Sequence, residues 1–175
     1  MINTKLNLLN NNKVPPSFTT NLQEKYDWIW LPSADVTQLL NMRNAEHVLS
    51  NMRNPSRITQ EAHLEFLQKY NDLQRVDFIL IHNSSGEYVG SMNISLTGYG
   101  FEIGKYIGNV NYLGRGISHP MSMSFIQYLK DNLSEITKIC SVTRLNNYKN
   151  INLNFKLGFR IISLVEERYW LMELV

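Results

Sequence analysis

Glu102-Ile-Gly-Lys-Tyr-Ile-Gly-Asn-Val-Asn-Tyr-Leu-Gly-Arg-Gly-Ile-Ser118 is the stretch from which the fold can be read. Phe101 to Gly108 has the composition of a strand, a short glycine loop follows, and Gly116 to Leu133 reads as a helix. Gly114 and Gly116 let the backbone come close to a ligand and take positive φ at little steric cost. The helix behind them aims its free N–H groups and positive dipole end at the loop. A pyrophosphate fits such a place. Glycines ahead of a helix also make ordinary turns. The loop gains meaning from a second segment, Asn147-Tyr-Lys-Asn-Ile-Asn-Leu-Asn-Phe-Lys-Leu-Gly-Phe159.

Together the two segments resemble the GNAT family, the acetyl-CoA-dependent N-acetyltransferases. Leu113-Gly114-Arg115-Gly116-Ile117-Ser118 lies in the register of the family's acetyl-CoA loop. Asn147 and Asn150 take the Asn and Ala/Ser positions of its next signature, and Lys156, Leu157, Gly158 and Phe159 the closing positions. The Glu-Ile-Gly-x-Tyr-Ile-Gly lead-in is similar to the ribosomal-protein-alanine acetyltransferase branch. Met42-Arg43-Asn44, Met52, Ile58-Thr59 and His63 to Phe66 are similar to a group that acetylates nucleotide-linked amino sugars. The resemblance runs from Arg43 to the C-terminus. It implies an α/β, GNAT-like fold: a mixed central β-sheet flanked by helices, with acetyl-CoA bound at the strand-loop-helix.

It also implies site residues. Amides from Leu113, Gly114, Arg115, Gly116, Ile117 and Ser118 would hold the pyrophosphate. Backbone groups of Tyr106, Ile107 and Gly108 would meet the pantetheine arm and offer an oxyanion donor. Asn147 and Asn150 would face the cofactor, and Asn147 also suits a helix N-cap, a role that the motif context puts second. Glu102 is the candidate base, or else an exposed strand carboxylate. His119 ranks below it. The family's proton donor is a Tyr seven residues after the motif Asn, and here that position is Asn154, whose amide is no acid near neutral pH. Tyr106 and Tyr148 lie near in strand or sequence. Tyr148 stands beside Glu102 as the catalytic pair, though it misses the motif position. Leu113 and Pro120 also depart from the family pattern. Arg43 and Asn44 are the substrate candidates, with Arg43 equally placed to complement a helix C-terminus.

The chain has 175 residues, 43% hydrophobic and 18% charged, which suits one globular core. A formal net charge of +2, with no Lys/Arg-dense run, argues against a nucleic-acid partner. The single cysteine, Cys140, sits in an apolar run and reads as an inert core thiol. His47, His63 and His82 lack partners at ligand spacing, so no metal is expected. No apolar run is long enough to span a membrane, and no signal-peptide pattern opens the chain. A cytoplasmic location is the default expectation.

Residues 1–25 read as a polar N-terminal arm broken by Pro15-Pro16, loosely attached or forming a short edge element, and residues 26–175 as a single acetyltransferase domain. Tyr26 to Leu31 suggests the first strand. Ser33-Ala-Asp35 and Thr59 suggest two helix starts. Apolar residues at 62, 64, 66, 67 and 70 set the expected face of the second helix. Phe78–His82 and Tyr88–Leu96 flank Asn83-Ser-Ser-Gly-Glu87 as a hairpin, and Glu166-Glu167 turns the last one. An exposed final strand would suit pairing into a homodimer. The expected activity is direct transfer of acetyl from acetyl-CoA to a small-molecule amine such as a nucleotide-activated amino sugar. The alternatives are a protein N-terminus as acceptor, or a catalytically silent CoA-binding module.

Overall fold

Strand β2 (Lys25–Trp30) buries Tyr26, Trp28 and Trp30 and leaves the residues between them partly exposed, the signature of a strand with one core face. The computed structural model describes residues 1–175 and sets β2 in an eight-stranded sheet of order β1-β2-β3-β4-β5-β6-β8-β7. The other strands are β1 (Phe18–Thr19), β3 (Arg75–His82), β4 (Tyr88–Thr97), β5 (Gly100–Ile107), β6 (Ile139–Arg144), β7 (Phe159–Val165) and β8 (Tyr169–Leu174). Every neighbouring pair is antiparallel except β5 and β6. The expected mixed sheet with flanking helices is what forms.

Register sorts the side chains onto two faces. Trp28 pairs with Leu80, and Phe78 with Met92, which pairs with Lys105. This face packs on α5 (Ser118–Asn132), with Phe125, Tyr128 and Leu129 in the same core. Trp28 Nε1 donates to Ser124 Oγ on that helix at 3.1 Å. The other face carries Ile79, which meets Leu39 and Met42 of α2 (Val36–Arg43) in a smaller cluster with Phe66 of α4 (Gln60–Lys69). The short α3 (Glu46–Leu49) follows α2, and α6 (Tyr148–Lys156) lies between β6 and β7.

The capped starts are as expected. Asp35 accepts from Gln38 N–H at 2.8 Å and Thr59 from Ala62 N–H at 3.2 Å. Three features differ from the sequence reading. The inner face of α4 and the turn after it carries His63, Phe66, Leu67 and Tyr70, while Ala62 and Leu64 of the expected face point outward, Leu64 being 44% exposed. Spacing of three and four residues fits either face, and the tertiary contacts choose. The final strand β8 lies inside the sheet, and β7 is the edge, with Ile161, Ile162 and Leu164 exposed. The first 25 residues carry a helix that the sequence reading does not include, α1 (Ile2–Asn10), ahead of β1, which is the short edge element that the sequence offers as one of two forms for this segment. Leu8 joins the main core, and the fully buried Lys5 donates to the Tyr70 and Leu73 carbonyls with its ammonium 3.8 Å from the Tyr70 ring centroid.

Burial pulls the Lys5 ammonium down to about 8 from 10.5. Between those values the unfolded chain holds a proton that the folded chain has released, so Lys5 makes stability rise with pH. Below about 8 the full penalty is carried. Cys140, pushed up to about 11 by burial, gives the opposite slope above its ordinary 9.0. The clean observable is therefore a difference. From pH 7 to 10, wild type is expected to gain on the order of 1–2 kcal/mol in urea unfolding relative to Lys5→Met. Parallel curves for the two proteins would remove Lys5 from this role.

Candidate active site

Strands β5 and β6 pair only at Phe101–Ile139 and Glu102–Cys140, and then part. Strand β5 runs on to Ile107 and β6 to Arg144 without meeting again. The phase of the β4–β5 ladder tells which backbone groups are left free. Gly108 N–H donates to Val89 O at 2.9 Å. Since antiparallel partners alternate, Tyr106 and Gly104 also turn their backbone groups to β4, while Lys105 and Ile107 turn theirs into the gap. The sequence reading named Tyr106, Ile107 and Gly108. The ladder leaves Ile107, and adds Lys105. The Ile107 carbonyl meets His47 Nε2 at 2.9 Å, so its N–H is the free group. Gly108 serves another purpose, because a Cβ there would lie 2.5 Å from Met42 Cβ of α2.

A cavity of about 1150 Å³ occupies this gap. Leu39, Arg43, His63 and Asp77 line it on the α2–α4 face, and Lys105, Met121 and Leu153 on the α5–α6 face. It thus passes through the sheet. Leu113 to Ser118 form its rim on the α5 side. Gly114 and Gly116 have φ of 77° and 73°, with open space where a Cβ would stand. Helix α5 has Ile117 as its N-cap, no capping side chain, and no acidic residue in its first turn. Its leading amides have no side-chain acceptor and suit an anion. Pro120 falls in that first turn, where a missing N–H is tolerated. Arg115 is paired with Glu24 at 2.7 Å and stacks over Tyr112, so its charge is already matched.

Asn147 caps α6, its side chain accepting from Asn150 N–H at 3.2 Å, and both residues line the cavity. Asn150 also donates to Thr143 Oγ1 at 2.9 Å. Tyr148, next in sequence, is 70% exposed and does not line the cavity. One residue along a helix turns a side chain by more than a quarter circle. Asn154 is fully buried, donating to Ser141 and Thr143 and accepting from Lys105 Nζ at 2.7 Å.

On the α2–α4 face Glu102 lines the cavity. Its Oε1 accepts from Arg53 Nη2 at 2.7 Å, and its Oε2 is buried with no partner. Asp77 is held by Arg75 and is 2% exposed. Arg43 lines the cavity with Nη1 buried and unpartnered, and burial pulls its guanidinium below the ordinary value. Tyr106 lies on this face, its hydroxyl pushed up to about 12 chiefly by burial. Asn44 does not reach the cavity: its amide both accepts from and donates to the Ile58 backbone at 2.8 Å, locking the loop before α4. His63, with Nε2 unpartnered and its ring held below the ordinary value by burial, lines the cavity too, a place that its part in the amino-sugar resemblance does not by itself assign. Lys105 is a cavity residue the sequence did not single out. A lysine between Ile103 and Ile107 on the core-facing side of a strand is the signal that marks it. No group of three or more His, Cys, Asp or Glu side chains is gathered as for a metal ion. No helix is long and apolar enough to cross a membrane.

No protein-family model matches the sequence, and no curated protein does. Solved structures do match. Spermidine N-acetyltransferase from Vibrio cholerae, in complex with CoA and spermine, is similar at TM-score 0.73 and 17% identity, over 85% of this chain and 94% of that one. The GNAT domain of S. lividans PAT gives 0.74 at 11% identity, over 91% and 95%. Aminoglycoside acetyltransferase AAC(6')-Ib, in complex with coenzyme A and kanamycin, gives 0.70 at 17%, over 85% and 93%. Likeness at this level of identity speaks to architecture, and the mixed sheet that parts between β5 and β6 is the GNAT fold.

Proposed function

We propose that the protein is a GNAT N-acetyltransferase that moves acetyl from acetyl-CoA directly to the primary amine of a small, negatively charged acceptor, of which a nucleotide-linked amino sugar is an example. The cavity through the sheet carries this reading: it joins an uncapped helix N-terminus on one face to unpartnered Arg43 and His63 on the other. In this reading the amides of Gly114 to Ser118 hold the pyrophosphate. The free N–H groups of Lys105 and Ile107 take the pantetheine arm and the thioester oxygen as it gains charge. The acceptor enters from the α2–α4 face. Glu102 takes the amine proton on its unpartnered oxygen while Arg53 fixes the carboxylate.

Charge supports the acceptor class. Seven of the lining residues are Lys or Arg and two are Asp or Glu; Arg53, Arg75 and Arg115 are ion-paired, as are both acids, which leaves Arg43, Lys105, Lys149 and Lys156 without an acidic partner. An acceptor bringing phosphate or carboxylate would match Arg43. A polycation would meet no carboxylate that lacks an arginine partner. The test is calorimetry with acetyl-CoA, then thiol release against nucleotide-linked amino sugars, short peptides, spermine and kanamycin. Turnover with an anionic amine is expected. Turnover only with peptides would favour the protein N-terminus, and binding without turnover on any amine would favour the silent module. Glu102→Gln is expected to lower kcat by about 10²–10⁴-fold with acetyl-CoA affinity kept. Full activity across pH would remove Glu102 as the base.

A further inference from the structure

We infer that Lys105 is the proton donor to the departing CoA thiolate, an inference that rests on the acetyl-transfer reading above. Its side chain leaves β5 beside Met92, toward α6, and its ammonium donates to Asn154 Oδ1 at 2.7 Å. The Asn154 amide nitrogen is spent on Ser141 Oγ and Thr143 Oγ1, at 3.1 and 3.3 Å, which fixes its oxygen toward Lys105. One of three ammonium N–H bonds is thereby used and two remain for a ligand. Lys105 lines the cavity where β5 and β6 part. A thioester held by the Lys105 and Ile107 amides therefore lies within a residue of this side chain.

The surroundings leave the ammonium without a counterion. Met92, its partner across β4, and Asn154, its acceptor on α6, are neutral, and so are Ser141, Thr143 and Met172, which surround Asn154 in turn. Burial alone moves its ionisation, down to about 7. An ammonium of that acidity gives up its proton readily near neutral pH. The step balances. The amine nitrogen bonds to the acetyl carbon, and the carbon–sulfur bond breaks with its electron pair on sulfur. The Lys105 proton passes to sulfur, leaving CoA thiol and a neutral lysine. The proton lost by the acceptor amine goes to Glu102, and Lys105 is recharged from solvent through the cavity.

The test uses the full chain, acetyl-CoA and hydroxylamine, a small amine that is neutral above pH 7 and needs no acceptor pocket. Thiol release is followed from pH 7 to 10, and acetyl-CoA binding is measured by calorimetry on the same samples. In wild type the rate is expected to fall above pH 7 by about tenfold per unit as Lys105 loses its proton. Lys105→Met should release thiol at least about tenfold more slowly at pH 7, without that alkaline fall, and with acetyl-CoA affinity within twofold of wild type. The substitution lifts the cost of burying the ammonium but leaves Asn154 Oδ1 without its donor, so the melting temperature is recorded beside the rates to show that the variant is folded. Lys105→Arg keeps the charge but holds its proton too tightly to give it up, so it should be as slow as Lys105→Met. Wild-type rates in Lys105→Arg would show that charge alone matters and overturn proton donation. Wild-type rates and pH profile in Lys105→Met would overturn it as well, as would wild-type protein that binds acetyl-CoA without speeding thiol release. Failure of wild type to bind acetyl-CoA would instead overturn the acetyl-transfer reading itself.

Discussion

Gly116→Val is expected to weaken acetyl-CoA binding by at least about a hundredfold, or roughly 2.7 kcal/mol, with the urea midpoint close to wild type. Gly116 has φ of 73°, and nothing lies within 4 Å of an added Cβ. The protein therefore does not collide with the new side chain. The conflict is in the backbone, where a β-branched residue at positive φ is strained by about 1–3 kcal/mol. An exposed loop relieves that strain by changing conformation, and in doing so swings the amides ahead of α5 away from their common focus. In the proposed reading those amides hold the pyrophosphate, and charge-assisted bonds are worth about 1.5–3 kcal/mol each. Gly116→Ala, strained without β-branching, should fall between the two. Calorimetry on the three proteins reads the series. Equal affinity in Gly116→Val and wild type would mean that the loop does not bind the cofactor.

What the sequence made legible was local. The Gly114–Gly116 loop, the Asp35 and Thr59 caps and the Asn147 cap each depend on a few adjacent residues, and each forms as read. What it hid depends on pairing between distant segments. Lys105 lies inside the stretch that decided the fold, yet its role is visible only once β5 is known to part from β6 after Glu102. The same holds for the backbone groups, where one hydrogen bond at Gly108 fixes which residues face the gap. Tyr148 and Asn147 are neighbours in sequence but face different surroundings on the helix. Asn44 adjoins Arg43, yet its amide is consumed by Ile58, a partner 14 residues away in the chain. The polar N-terminal residues gave no sign of a buried Lys5, because its partners are carbonyls at Tyr70 and Leu73 that any sequence would supply.

The site also depends on packing far from it, and Phe78→Ala is the sharpest probe of that dependence. Phe78 is fully buried in β3, with ring centroids 4.4 Å from Trp30, 5.1 Å from Tyr128 and 6.1 Å from Phe125. Truncation there is expected to lower stability by about 3–5 kcal/mol, through lost transfer energy and the cavity left between rings that cannot all collapse inward. Urea unfolding by far-ultraviolet circular dichroism measures it. Phe125 and Tyr128 belong to α5, whose first turn is the proposed pyrophosphate site, so the variant loosens the seat of that helix as well. Acetyl-CoA binds only the folded chain in the proposed reading. At a hundred times its dissociation constant it should restore about 2.7 kcal/mol. A loss below about 1 kcal/mol would place the energetic centre of the core away from this aromatic layer. Full loss with no recovery on adding acetyl-CoA, in a protein whose wild type binds it, would show that α5 must be seated by Phe78 before the loop can hold its anion.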